Sequence, residues 1–383
     1  MDESSFVYSL FLGCLTVHTL WELHQHRSSF GDAKVIKEDR NLAFKVAAFI
    51  LIPIGVLLHE VGHSLATWQV GGKVAVFRWY LFSGYIIPVG DFNPVQDWWI
   101  SFAGNLVSIL LAILAIPLIF KVRRRIVAEV LYRFVAIESI YSLVYYPLWS
   151  AYYRDGDWMV IYGRLVQPYA SLLLVAHLAL LWKLWQLYKS EKMLQWRLAR
   201  NSVSLASYQK LKQEQLQRPN DLQPQVDLAY FLLEYDEVEQ AKKIFTAIAK
   251  DNSDSMAIAV LDLCIDYYRP SYDSLRYTKI IQSAKKLLLQ DTDSENKVML
   301  YRLLASTSYQ IGKLAEALEY ANSGLAIAPD NSMLLYHRAK IYARTQKYEQ
   351  TVIDLESVLT TVVNEDLRQD ILHLRKQCLN RIA

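Results

Sequence analysis

The chain has 383 residues, of which 53% are hydrophobic and 21% charged, with a formal net charge of +3. That length exceeds one typical domain, so two are expected, and the small positive excess, without a patch of interleaved basic and aromatic residues, excludes nucleic acid as the expected partner. Three scattered cysteines, Cys14, Cys264 and Cys378, exclude a disulfide framework and a cysteine zinc site.

Up to about Trp185 the chain is a series of long apolar runs; beyond Lys189 it is charged and helical in pattern. Phe6 to Trp21 follows an acidic start and lacks the basic lead and small-residue cleavage site of a signal peptide, so it reads as a first transmembrane helix. His24 to Arg40 is a polar loop. His24 and His26, two residues apart, do not share a helix face and are not expected to share a metal.

Leu42 to Leu58 is apolar apart from Lys45 and is interrupted by Pro53 and Gly55; it runs directly into His59-Glu60-Val61-Gly62-His63. Residues four apart lie on one helix face, so His59 and His63 offer two imidazoles to one Zn²⁺. Glu60, next to His59, is placed to take a proton from a metal-bound water. Chance can produce such a motif, but chance does not favour the end of an apolar span, where ionisable groups are costly unless they face a protein interior or an ion.

Gly71-Gly72 ends this helix. Lys73 to Asn93, rich in Val, Phe, Trp, Tyr and Ile, reads as β-structure against or within the membrane. It either offers a strand edge to an extended substrate or forms a hairpin that covers the site. Trp98 to Phe120 carries no charge and is long enough to span a bilayer. Asn105 within it needs a partner, either an oxyanion or a neighbouring helix.

A basic loop, Lys121 to Arg125, precedes the apolar Ile126 to Trp149, in which Glu129 is expected to pair with Arg133 four residues on. Asp155 and Asp157 flank Gly156 just before a helical stretch. They serve as helix caps, or one of them is the third ligand that a catalytic zinc requires. On the residues alone both stay open. Val166 to Trp185 is a last apolar segment, and its His177 is expected to pack rather than ligate.

Four stretches together resemble the site-2 protease family of intramembrane zinc metalloproteases. They are HEVGHSLA at His59 to Ala66, Gly71-Gly72, FAGNLVS at Phe102 to Ser108, and DGDW at Asp155 to Trp158. The resemblance covers roughly Leu42 to Leu165. It implies zinc held by His59, His63 and an aspartate, with Glu60 as general base. Asp157 is the favoured aspartate, because divergent members carry Gly-Asp-Trp there, and Asp155 is the alternative. Asn105 falls near the family's middle Gly-Pro…Asn segment, with Gly104 here in the place of the usual proline, and is implied as a catalytic residue.

After a polar, basic linker, self-similarity appears at the 34-residue period of tetratricopeptide repeats: Ala305 recurs as Ala339. Ala229, Ala241 and Phe245 mark one helix pair, Ala305, Ala317, Gly324 and Pro329 a second, and Ala339, Tyr342, Leu355 and Val358 a third. Met256 to Leu289 reads as a degenerate pair.

The predicted fold is all-α: a polytopic membrane helical bundle with a small β or re-entrant segment (1–188), a linker helix (189–221) and a soluble α-solenoid of tetratricopeptide-like repeats (222–383). The expected activity is that of a zinc metalloendopeptidase embedded in the lipid bilayer and acting on membrane protein substrates. The repeats are expected to recruit a protein or peptide partner. Basic clusters at Arg27–Arg40, Lys121–Arg125 and Lys183–Arg200 predict a multi-pass protein with five spans and its repeats in the cytoplasm. The alternative is a non-catalytic membrane scaffold that works through its repeats. A di-iron oxygenase is disfavoured, since only His59 and His63 among 8 histidines stand at ligand spacing.

Overall fold

A computed structural model describes residues 3–27, 35–200, 202–269, 273–290, 293–362 and 364–382. Part of the expected polar loop, 28–34, lies outside the described residues. The chain divides into two compact units, 1–200 and 201–383.

The first unit begins with α1 (Glu3–Gln25), which contains the expected first span. Next, α2 (Lys37–Val46) continues through a π-turn (Ala47–Leu51) into α3 (Ile52–Gln69), making one helix from Lys37 to Gln69. Pro53 explains the π-turn: without an N–H it cannot pair with the carbonyl one turn back, and the wider turn absorbs the fault. The helix stops in a Schellman motif, where Gly71 at φ +87° donates to Trp68 O and Gly72 to Thr67 O.

The predicted β-segment is an antiparallel pair, β1 (Lys73–Trp79) and β2 (Gly84–Val89), with Trp79 opposite Gly84 and a bulge between Val74 and Val76. Asn93 caps α4 (Pro94–Lys121), accepting from the Val95 and Gln96 amides. There follow α5 (Arg125–Ile140), a second π-turn (Tyr141–Tyr145) and α6 (Tyr146–Tyr153). This π-turn, like the first, ends two residues before a proline, here Pro147. Short α7 (Asp157–Ile161), the apolar α8 (Tyr169–Tyr188) and α9 (Glu191–Leu198) complete the unit.

Among the described residues three helices are long and apolar enough to cross a membrane: Lys37–Gln69, Pro94–Lys121 and Tyr169–Tyr188. They leave large apolar side chains such as Ile54, Leu114 and Val175 exposed. In water such faces would seek partners; in a bilayer the lipid covers them. The expected span at 126–149 is helical but is not among the three, because it carries Glu129, Arg133 and Glu138.

Contact between spans rests on small residues, since lipid removes most of the hydrophobic drive for helix association. A Cβ on Gly62 would lie 2.9 Å from Ala103 O and 3.0 Å from the Gly104 Cα, so α3 and α4 touch backbone to backbone. Farther along, Ala47, Ile52, Ala115 and Phe134 form one buried cluster, and Ile119, Ala128, Met193 and Trp196 another. The second cluster packs α9 against α4 and α5. The stretch predicted as a single linker helix is therefore two: α9 within the first unit, and α10 (Ser202–Gln217) packed on α11 in the second. The predicted Glu129–Arg133 pair does not form. Buried Glu129 instead accepts from the Arg200 Nε and Nη2, and the Arg133 guanidinium lies over the Tyr132 ring. Four-residue spacing permits such a pair, but helix rotation decides what each side chain meets.

The second unit is a stack of helix pairs: α11 (Leu222–Glu234) with α12 (Val238–Ala249), α13 (Met256–Tyr268) with α14 (Ser274–Leu288), α15 (Ser294–Gln310) with α16 (Leu314–Ile327), and α17 (Ser332–Arg344) with α18 (Tyr348–Thr361). Then α19 (Glu365–Ile382) closes the end, its Ile371 packed with Leu355 and Val358. The repeat shows in the backbone. Asp236, Gly312 and Gln346 hold positive φ at the turn of their pairs, and the next residues, Glu237, Lys313 and Lys347, donate to Leu232, Ser308 and Tyr342 O at 2.8–2.9 Å. Ala305, Ala317 and Ala339 are fully buried, as close helix approach requires.

Candidate metal centre

The α3 helix places His59 and His63 one turn apart, their Nε2 atoms 2.9 Å from each other. Asp157, at the start of α7, brings Oδ2 to 3.3 Å from His59 Nε2 and 3.2 Å from His63 Nε2. Among the described residues these three form the one group able to hold a metal ion, with donor atoms all within 4.8 Å of one another.

The donor chemistry fits a cation. His63 Nδ1 lies 2.6 Å from Ile100 O, and a carbonyl only accepts, so Nδ1 carries the proton and Nε2 of the neutral ring presents a lone pair. A lone pair and a carboxylate oxygen this close repel unless a positive charge lies between them. Zinc suits two imidazoles and one carboxylate.

Each donor is held from behind. Asp157 Oδ2 accepts from Asn105 Nδ2 at 3.1 Å and from the Tyr146 hydroxyl at 3.2 Å. Trp158 and Ile161, both buried, anchor α7, and the Trp98 indole N–H donates to Ile161 O. Gly104 makes room for His63: a Cβ there would sit 2.3 Å from Nε2. Asp155 is two residues away but exposed, its carboxylate accepting from the Gly156 amide. The structure thus brings Asp157 to the histidines and leaves Asp155 in a local turn.

Glu60 is buried beside this group, and none of the described residues donates a hydrogen bond to its carboxylate. The hairpin passes directly over it, since a Cβ on Gly84 would lie 2.6 Å from Glu60 Cγ and 2.9 Å from Oε1. Asn105 is fully buried. Its amide nitrogen serves Ser101 O and Asp157, so the structure aims its donors at the aspartate and not at an open oxyanion position. Its Oδ1 is buried with no hydrogen-bond partner among the described residues. His177 bonds Tyr162 and Leu143 O, away from the centre, as expected of a packing histidine. Tyr146 and Ser108 were not anticipated. The signal for Tyr146 was the proline after it, which marks the π-turn that redirects it.

Residues 42–153 match the family described as Peptidase M50B-like. The membrane half has the site-2 protease resemblance. The matched stretch contains His59, Glu60, His63 and Asn105 and stops short of Asp157. No curated protein matches the chain significantly. Among solved structures, the tetratricopeptide-repeat domain of P58(IPK) aligns at 13% identity over 89% of this chain and 83% of that one. The TM-score is 0.26, too low to describe a shared arrangement, so the repeat assignment rests on the helix pairs themselves.

Proposed function

We propose that the first unit is a zinc metalloendopeptidase acting within or at the membrane on membrane protein substrates. The observation that carries this reading is the convergence of His59, His63 and Asp157 beside a buried, unengaged Glu60. His59, His63 and Asp157 would hold the metal. Zinc, when bound, supplies Lewis acidity to a water and to a scissile carbonyl. Glu60 accepts the proton of the attacking water and returns it to the leaving amine. Asn105 and Tyr146 keep Asp157 in place. The hairpin β1–β2 covers Glu60 and limits access of bulk water. The multi-pass topology with five spans, and a cytoplasmic repeat unit that receives a protein or peptide partner, belong to the same proposal.

Metal analysis of the purified full chain, combined with comparison of membrane-protein fragments in cells expressing wild type or Glu60→Gln, tests this reading. About one zinc per chain is expected in both proteins, with fragments produced by the wild type alone. A zinc-free wild type, or identical fragments from both, overturns it.

A further inference from the structure

An imidazole inside an apolar span is costly and marks a functional position by default. Of the 20 residues of α8 only two are buried, Ala170 and His177. The His177 ring reaches two elements outside its own helix. Its Nε2 lies 2.7 Å from Leu143 O in the second π-turn, and its Nδ1 lies 2.5 Å from the Tyr162 hydroxyl at the end of α7. A carbonyl only accepts, so Nε2 donates to Leu143. The same ring lies against the Trp158 indole, with centroids 5.1 Å apart.

Leu143 O needs that donor. In a regular helix it would accept from the residue four on, which is Pro147 and has no N–H. The Tyr146 N–H, one residue earlier, is committed to Tyr141 O five residues back, as the π-turn requires. A main-chain carbonyl left without a donor is costly away from water, and His177 supplies one from α8. The bond pins the π-turn just before Tyr146, whose hydroxyl holds Asp157.

The other two contacts act on α7. This helix has 5 residues, little more than one turn, and so short a helix has no stability of its own. Asp157 is its first residue, so where the carboxylate lies depends on what grips the turn from outside. Trp158, next to Asp157, is 2% exposed and packs on His177. Tyr162 ends the turn, its N–H on Trp158 O, and its hydroxyl bonds the same imidazole. One ring therefore joins α8, the π-turn and α7 behind the third ligand.

We infer that His177 is a positioning residue for the metal centre: by donating to Leu143 O and packing on Trp158 it fixes the approach of Asp157 to His59 and His63. The inference rests on the metalloprotease reading above. Its test compares the purified full chain as wild type, His177→Phe, His177→Asn and His177→Gln. Phenylalanine keeps a ring against Trp158 but has no donor. Glutamine carries its amide N–H about as far as Nε2, whereas asparagine stops near the place of Nδ1. Zinc affinity is measured by competition with a chromophoric chelator, with melting temperatures recorded. The visible spectrum of the Co²⁺-loaded protein reports the ligand geometry, which a loss of stability alone does not alter. His177→Phe and His177→Asn are expected to weaken zinc binding about 10-fold and to shift the cobalt bands, while His177→Gln stays within about twofold with the wild-type spectrum. If His177→Phe does not fold, the contrast between asparagine and glutamine decides alone. Wild-type affinity and spectrum in His177→Phe or His177→Asn, or a loss in His177→Gln as large as theirs, overturn the inference and leave the metalloprotease reading standing. A wild type that binds no zinc ends both.

Discussion

Tyr146 holds Asp157 twice: its hydroxyl donates to Oδ2 at 3.2 Å, and its oxygen accepts the Asp157 backbone N–H at 3.3 Å. One phenol therefore fixes both where α7 begins and where its first carboxylate points. Tyr146→Phe removes both bonds with little change in volume. Zinc affinity should fall about 10-fold while the melting temperature stays near that of the wild type; unchanged affinity would show that Asn105 suffices.

The ligand assignment separates two aspartates two residues apart. His59→Ala, His63→Ala and Asp157→Ala should each abolish zinc retention through purification, since three protein ligands are the minimum of a catalytic site. Asp155→Ala should retain about one zinc per chain. Zinc loss in Asp155→Ala, with retention in Asp157→Ala, would reverse the assignment.

Two glycines predict opposite phenotypes. Gly104→Ala drives a methyl to 2.3 Å from His63 Nε2, so His63 must move and zinc should be lost, with about 1–3 kcal/mol of overpacking. Gly84→Ala meets Glu60 Cγ at 2.6 Å from the hairpin side. It should keep zinc and lose cleavage. If both variants lose only cleavage, the contact at His63 is not what holds that ring.

The repeat unit should stand alone, because each helix pair buries its apolar face on its neighbours. A fragment of residues 201–383, which keeps α10, should be soluble and strongly helical. Within it Arg338 grips buried Asp354 with two bonds, Nε to Oδ2 at 2.8 Å and Nη2 to Oδ1 at 2.7 Å. The arginine is about a quarter exposed, so Asp354→Ala should cost about 1–3 kcal/mol, below the value for a fully buried pair. Denaturant unfolding of the fragment reads this directly.

That fragment should also weaken in mild acid. Burial, with the nearby positive charges of Lys340 and Arg302, pushes His337 down to about 3. A histidine depressed on folding binds its proton more readily when unfolded, so its contribution is complete above its ordinary pKa, about 6.5, and is lost as pH falls from there toward 3. The slope is at most about 1.4 kcal/mol per pH unit. His337→Gln should flatten the stability profile between pH 6.5 and 5; an unchanged slope would place the effect elsewhere.

What the sequence determined by itself is what local rules encode. His59 and His63 share a face because a helix repeats every 3.6 residues, and the apolar run before them identifies their setting. Gly71-Gly72 marked the end of that helix, and the step from Ala305 to Ala339 revealed the repeat, because each pair reuses the same buried contacts. Only the tertiary structure decided which distant groups meet. The sequence permitted either aspartate beside Gly156, and the burial of Trp158 and Ile161 turned Asp157 inward. It suggested Arg133 for Glu129, and the partner is Arg200, 71 residues away. Spacing along the chain specifies a helix and its faces, but the rotation of each helix about its own axis is set by what packs against it.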